Sequence, residues 1–152
     1  MKILNEFKCT FPANSANEAL ARAALSAFLI PADPTAQELA DLRTVISEAV
    51  TNAIVHGYRG TTGMISIVLR MLPDRVIYIR VTDKGCGIPD VARAMEPLYT
   101  SAPEEDRAGL GFAIMQTFTD TLHVRSAPQE GTVLTMRRRL GVQTSDDESQ
   151  DA

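Results

Sequence analysis

Two apolar runs joined by a short connection limit the folds open to this chain of 152 residues. The runs extend over residues 64–71 and 76–82, are rich in Ile and Val, and are separated by Leu72-Pro73-Asp74-Arg75. Strand-forming segments on either side of a turn that contains proline are typical of a β-hairpin. The chain should therefore contain antiparallel β-structure.

The residues before this hairpin predict one strand and two helices. Residues 7–11 alternate between apolar and polar side chains, as in a half-buried strand. Two capping boxes follow, Ser15-Ala16-Asn17-Glu18 and Thr35-Ala36-Gln37-Glu38, each before apolar residues at helical spacing. The second helix should end at about Gly57, where glycines begin.

A long loop, a helix and a second hairpin are predicted after the first hairpin. Residues 89–108 carry three prolines and an acidic run with weak periodicity, so most of them should form a loop. A helix should follow Gly109-Leu110-Gly111, and the last two strands should cover about 122–126 and 132–139. This order predicts an α+β fold, a two-layer sandwich with helices on one face of a mostly antiparallel sheet.

Length and charge indicate a single domain at residues 1–140 and an acidic, disordered tail at 141–152. The net charge of −4 gives no electrostatic reason for binding nucleic acid, and the run Arg137-Arg138-Arg139 should be a solvated edge divided between two strand faces. Cys9 and Cys86 lie far apart, which predicts reduced thiols. No segment is apolar enough to cross a membrane and no secretory signal is present, so we expect a soluble, cytoplasmic protein.

The first candidate for chemistry is a pair of polar residues on the second helix. Glu48 and Asn52 are four residues apart and therefore share one side of the helix. A carboxamide oxygen can bind Mg²⁺ while a neighbouring carboxylate acts as a base. A solvated helix face would have the same spacing, so the pair alone does not identify a site.

Three glycine-containing segments follow in order. Asp83-Lys84-Gly85-Cys86-Gly87 ends a predicted strand, where a buried Asp could accept a hydrogen bond from an adenine amino group. Gly109-Leu110-Gly111 precedes a helix whose first N–H groups could bind an anion, and Gly131-Thr132 enters the last strand. Each segment also occurs in ordinary turns and helix starts, but their order is that of one nucleotide site.

This combination resembles the GHKL superfamily of ATP-binding domains, which includes gyrase, the heat-shock chaperone ATPases, histidine kinases and mismatch-repair ATPases. The resemblance covers the chain up to about Leu140. Within the superfamily, residues 47–58 and the run from Pro97-Leu98-Tyr99-Thr100-Ser101 to Gly111-Phe112 are similar to the anti-sigma-F factors of endospore-forming bacteria. The related anti-sigma-B kinases tend to lose the second half of the Asp-x-Gly-x-Gly turn, which is intact here.

The resemblance implies a homodimer that binds sigma factor F and uses Mg²⁺ and ATP to phosphorylate a serine on a small anti-anti-sigma protein with a STAS domain. It makes Asn52 the Mg²⁺ ligand and Glu48 the base that accepts the serine proton. Arg107, at the end of the loop predicted at residues 89–108, which would be a lid over the nucleotide, would touch the γ-phosphate. No direct contact with nucleic acid or membrane is implied.

The same resemblance assigns nucleotide contacts to the glycine-rich segments. Asp83 would select adenine, and Gly85 and Gly87 would shape the pocket for the base. Gly109-Leu110-Gly111 would surround the phosphates of ATP or ADP. Thr132 would support the adenine side through its hydroxyl or a water.

Other functions are compatible with the same residues. The chain could be a nucleotide-gated switch that binds a sigma factor with little phosphoryl transfer, or a structural domain with vestigial motifs. His56 and His123 lack ligand spacing, which disfavours a metal site and a histidine-kinase role. Arg22, on the polar side of the first helix, could contact a protein partner or be solvated.

Overall fold

A computed structural model describes residues 1–96 and 110–141 of the chain. It contains a five-stranded sheet with the strand order β1-β2-β3-β5-β4, in which each neighbouring pair is antiparallel. The strands are β1 (Asn5–Pro12), β2 (Met64–Leu72), β3 (Val76–Asp83), β4 (Thr121–Ala127) and β5 (Gly131–Arg139). The helices are α1 (Ala16–Leu29), α2 (Ala36–Asn52), α3 (Val91–Ala94) and α4 (Leu110–Phe118). The predicted α+β class and both predicted hairpins are confirmed.

The main core lies between the inner face of the sheet and the helices. Alternate residues of β2, β3 and β5 are buried there, as the two-residue period of a strand requires. Apolar residues of α1 and α2 cover them at helical spacing. The fully buried large side chains include Leu25, Leu29, Leu42, Ile46, Ile65, Ile67, Leu69, Ile77, Ile79, Met115, Leu134 and Met136.

The capping box predicted for α2 is present. Thr35 Oγ1 accepts a hydrogen bond of 3.0 Å from Glu38 N, and Glu38 Oε1 accepts one of 2.9 Å from Thr35 N. The other carboxylate oxygen of Glu38 accepts a bond of 2.7 Å from Gly141 N. Gly141, predicted to begin the tail, is thus attached to the domain, whereas residues 142–152 lie outside the described part of the chain.

The capping box predicted for α1 is wrong. Ser15 has helical angles, φ −57° and ψ −28°, and its side chain makes no capping hydrogen bond. A residue whose side chain caps a helix typically has an extended backbone. Asn14 Oδ1 instead accepts a bond of 2.9 Å from Ala16 N.

The arginine run is divided between the two faces, as predicted, but it does not lie at an edge. It belongs to β5, which lies between β3 and β4. Arg138 Nη1 is 3.2 Å from Asp41 Oδ2 and donates to Phe118 O at 2.9 Å, so this arginine links the sheet to the helices. Arg137 lies on the opposite face, 5.7 Å from the centre of the Tyr78 ring.

The predicted loop at 89–108 is interrupted by α3, where Asp90 caps the helix through its side chain. The remainder of that prediction, from residue 97 onward, lies outside the described residues. No helix within the described ranges is long and apolar enough to cross a membrane.

Candidate functional site

Glu48 lies on α2 but is not part of a solvated helix face. Glu48 is only 6% exposed, and Asn52, one turn further on, is half-buried. A Cβ atom placed on Gly111 would lie 3.2 Å from Glu48 Oε2, so the start of α4 packs against this carboxylate. Since burying a carboxylate is costly without compensating contacts, its position between two helices disfavours the interpretation of a solvated pair.

A π-helical segment continues α2 and connects it with the Asp-x-Gly-x-Gly turn. It spans Ala53–Tyr58, so the regular α-helix ends at Asn52, before the predicted end at about Gly57. Cys86 N donates to Gly57 O at 2.8 Å, and Cys86 Sγ donates to His56 O at 3.2 Å. π-Helical turns inside helices occur often at functional sites. Here the segment places two carbonyl groups against the turn.

Glycine is required on both sides of the contact between the π-helical segment and the Asp-x-Gly-x-Gly turn. A Cβ atom on Gly85 would lie 2.1 Å from Gly57 O, and one on Gly57 would lie 2.9 Å from Asp83 Oδ1. Gly87 has φ +75°, and a Cβ atom there would lie 1.9 Å from Ala127 O. The turn is therefore enclosed between the π-helical segment and the connection from β4 to β5. Gly57 was not among the predicted site residues. The sequence showed only that it follows Ala53 by one helical turn, at the predicted end of the helix.

Asp83 is the last residue of β3 and is 5% exposed. Its Oδ1 accepts a hydrogen bond of 2.9 Å from Gly85 N. Burial raises the pKa of the Asp83 carboxyl above its ordinary value, and hydrogen bonds from the backbone N–H groups of Gly85 and Thr132 partly oppose that shift. A buried acceptor at the end of a strand can select a ligand group that donates hydrogen bonds.

Thr132 lies beside Asp83. The two residues are direct partners in the pairing of β3 with β5, and Thr132 is 3% exposed. Ser126, its partner on β4, forms a hydroxyl–hydroxyl contact of 2.9 Å with Thr132 Oγ1. Ser126 was not predicted as a site residue from the sequence, although it faces Thr132 in the predicted last hairpin.

Tyr58 is a second residue of this region that the sequence patterns did not predict. Its hydroxyl donates to Met64 O and accepts a bond of 2.9 Å from Lys84 N. It therefore connects the end of the π-helical segment with the start of β2 and with the turn after Asp83. Only the long-range contacts reveal this role, because a tyrosine after His-Gly has no distinctive local signal.

Arg22 is held in place by hydrogen bonds, although its side chain remains 31% exposed. Its Nη1 donates to Glu18 Oε1 at 2.8 Å and to Ser47 Oγ at 3.0 Å. Glu18 Oε2 accepts a bond of 3.1 Å from Thr51 Oγ1. This group of polar side chains joins α1 to α2 beside Glu48.

Not every predicted site residue can be placed. Arg107 and Gly109 lie outside the described residues. Leu110 and Gly111 form the start of α4, and Leu110 is 41% exposed. The structure thus brings Glu48 close to Gly111, and Asp83 close to Gly85 and Thr132.

Residues 1–96 and 110–141 contain no cluster of three His, Cys, Asp or Glu side chains suited to a metal ion. Mg²⁺ usually keeps several waters and binds through one or two protein oxygens together with the phosphates of its nucleotide. The amide oxygen of Asn52, with the buried Glu48 carboxylate one turn before it, fits this kind of site.

Comparison with known proteins identifies a family. The model of the histidine kinase-like ATPase domain matches residues 11–138. The chain is 49% identical over 137 residues to the anti-sigma F factor of Pasteuria penetrans, covering 90% of this chain and 91% of that protein. It is 42% identical over 136 residues to the anti-sigma F factor of Bacillus licheniformis, covering 90% and 93% of the two chains.

Solved structures show the same fold at low sequence identity. The crystal structure of the RsbU and RsbW domains of a Mycobacterium tuberculosis protein matches 92% of this chain and 34% of that longer chain, with a TM-score of 0.68 and 21% identity. The catalytic domain of the histidine kinase ThkA matches 92% of this chain and 97% of its own length, with a TM-score of 0.57 and 16% identity.

Proposed function

This chain belongs to the anti-sigma F factors, which carry a histidine kinase-like ATPase domain, and we propose that it inhibits sigma factor F and phosphorylates a serine on an anti-anti-sigma protein. Family and fold together make it an anti-sigma factor with an ATP-binding, kinase-like domain. The observation that carries the kinase proposal is the buried Glu48 carboxylate beside the first residues of α4. A carboxylate in that position can act next to phosphates bound at the helix start.

In the proposed reaction, Glu48 is the general base. It accepts the proton of the attacking serine hydroxyl while the serine oxygen forms a bond to the γ-phosphorus of ATP. The bond from that phosphorus to the bridging oxygen breaks, and ADP leaves with the electron pair. Asn52 would hold Mg²⁺ through its side-chain oxygen, and the bound ion would supply neutralisation of the phosphate charge. Phosphoryl transfer depends mainly on such positioning and charge neutralisation.

The proposed phosphate contacts come from the start of α4. Its first backbone N–H groups have no partner within the helix, and they carry the positive end of the helix dipole. Gly109-Leu110-Gly111 would therefore surround the phosphates, and Arg107 would contact the γ-phosphate. Gly111 suits this position because it leaves room beside the Glu48 carboxylate.

The proposed contacts to the adenine base come from the other end of the site. Asp83 accepts a hydrogen bond from the adenine amino group, and Thr132 supports the same edge of the base. Gly85 and Gly87 keep the turn close enough to enclose the base, because side chains there would meet backbone atoms. Burial of Asp83 limits competition from water for the amino group.

The proposed partners follow the family. They are sigma factor F, an anti-anti-sigma protein with a STAS domain that receives the phosphate on a serine, and a second copy of this chain in a homodimer. The relatives are named as anti-sigma F factors, and the net charge of −4 gives no reason to propose direct contact with nucleic acid.

The test is phosphorylation by the purified chain. With Mg²⁺, ATP and an anti-anti-sigma protein, mass spectrometry should detect phosphoserine on that protein. Glu48→Gln should lower the transfer rate by about 10²- to 10⁴-fold, the usual contribution of a general base, with ATP affinity retained. Glu38→Gln is the matched control, since Glu38 is 9% exposed on the same helix but belongs to its capping box.

Two results would contradict the kinase proposal. One is a normal transfer rate in Glu48→Gln. The other is sigma factor binding and ATP binding without any phosphoserine, which would identify a nucleotide-gated switch instead.

A further inference from the structure

Three polar side chains form a row across the inner face of the sheet. Asp83 on β3, Thr132 on β5 and Ser126 on β4 are direct partners in consecutive strand pairs. Residues directly opposite each other in antiparallel strands point to the same face. The row thus runs from the proposed adenine acceptor, through Thr132, to a serine with no role in the function proposed above.

The single proton of the Ser126 hydroxyl has a defined partner. Ser126 Oγ is 2.8 Å from Gly131 O, and because a carbonyl oxygen only accepts hydrogen bonds, Ser126 must donate there. Ile88 N donates to Ser126 Oγ at 2.8 Å, which uses one of its two lone pairs. Ser126 can therefore serve its remaining neighbour only as an acceptor.

That neighbour is Thr132, whose Oγ1 lies 2.9 Å from Ser126 Oγ. Since the Ser126 proton is committed to Gly131 O, Thr132 must be the donor in this contact. The Thr132 hydroxyl then has only lone pairs to offer a ligand. It stands beside Asp83, whose carboxylate is also an acceptor.

We propose that Ser126 is a specificity-determining positioning residue that orients the Thr132 hydroxyl as an acceptor, so that the base edge of the site favours an exocyclic amino group. The inference rests on the proposed function, because it concerns the base end of that nucleotide site. Two adjacent acceptors match the two N–H donors of the adenine amino group. They repel the carbonyl oxygen that hypoxanthine carries at the same position.

Ser126 could instead serve only to link two backbone segments, since it bonds both Ile88 N and Gly131 O. A purely structural link would affect all nucleotides alike. The informative quantity is therefore the ratio of affinities for Mg-ATP and Mg-ITP. ITP differs from ATP in carrying a carbonyl oxygen in place of the amino group.

Titration calorimetry on the full chain tests the inference. In Ser126→Ala the Thr132 hydroxyl loses its acceptor and can rotate. The preference for ATP over ITP should then fall by about tenfold, as expected for one lost polar contact. Ser126→Thr retains the hydroxyl and should retain the preference. Thr132→Val should lower the preference to a similar extent, because Asp83 still discriminates in that variant, and adding Ser126→Ala to it should cause no further loss.

Equal weakening of ATP and ITP binding in Ser126→Ala would overturn the inference and leave the proposed function intact. A preserved preference in Thr132→Val would overturn it as well, and this variant decides the matter if Ser126→Ala does not fold. A wild-type chain that binds neither nucleotide would overturn the proposed function together with the inference.

Discussion

The proposed site has a base side, where Asp83, Gly85 and Thr132 would bind adenine, and a catalytic side, where Glu48 and Gly111 would meet the phosphates. The two sides are built in different ways. On the base side, Asp83, Gly85 and Thr132 are positioned by strand pairing and by backbone atoms in direct contact. On the catalytic side, Glu48 meets Gly111 where one helix packs on another. Strand pairing and backbone contact leave little room for adjustment, whereas a helix start can shift slightly over its neighbour. Base recognition and phosphoryl transfer should therefore respond to different substitutions.

The largest effect should come from removing the close backbone approach on the base side. In Gly87→Ala, the new Cβ atom would meet Ala127 O at 1.9 Å in a residue with φ +75°. We expect the free energy of unfolding to fall by about 3 kcal/mol or more, and ATP binding to be lost. Chemical denaturation and calorimetry would measure both.

Gly60→Ala is the matched control for that substitution. Gly60 has a similar φ of +82°, but nothing lies within 4 Å of its Cβ position. It should cost only the backbone strain of about 1 to 2 kcal/mol and leave ATP affinity unchanged. Equal losses in the two variants would show that backbone contact does not define the base side.

An intermediate effect should come from crowding the catalytic side. In Gly111→Ala, a methyl group would lie 3.2 Å from Glu48 Oε2, a distance that a small shift of α4 can relieve. Alanine favours the helix, so stability should stay the same or rise by up to about 1 kcal/mol. The phosphoryl transfer rate should nevertheless fall by about tenfold, because Glu48, the proposed general base, would be displaced. Unchanged transfer combined with lower stability would contradict this view of the catalytic side.

The smallest effect should be a pH dependence of ATP binding that originates at Asp83. Burial raises the pKa of this carboxyl above its ordinary value of 3.8, and its ionised form would be the better acceptor for the adenine amino group in the proposed site. ATP affinity should therefore decrease as the pH falls through the raised pKa. Calorimetry over an acidic pH series would show this, and Asp83→Asn, which does not titrate, should lack that component.

The contribution of Asp83 to folding has the opposite sign. A carboxyl with a raised pKa binds its proton more tightly in the folded state, so its stabilising contribution is fully present below pH 3.8 and is lost as the pH rises through the raised value. Above the raised pKa, Asp83 thus favours ligand binding most and folding least. We expect this difference in sign for a residue that serves recognition and not stability.

Local patterns in the sequence predicted most of the secondary structure. Both hairpins and the Thr35 capping box depend on neighbouring residues and were correct. The Ser15 capping box was wrong because Ser15 has helical backbone angles, while Asn14 bonds the helix start in its place. The arginine run was misplaced because the position of β5 inside the sheet depends on the order of strands, which no local pattern records.

The order of motifs in the sequence determined the family and named Glu48, Asn52, Asp83 and the glycines as candidates, because these residues are recognisable by type and spacing. Only the tertiary structure decided that Gly111 lies against Glu48, that Gly57 lies against Gly85, and that Ser126 meets Thr132. Each of these contacts joins residues on different elements. Their geometry follows from strand register and helix packing, which arise only when the whole chain has folded.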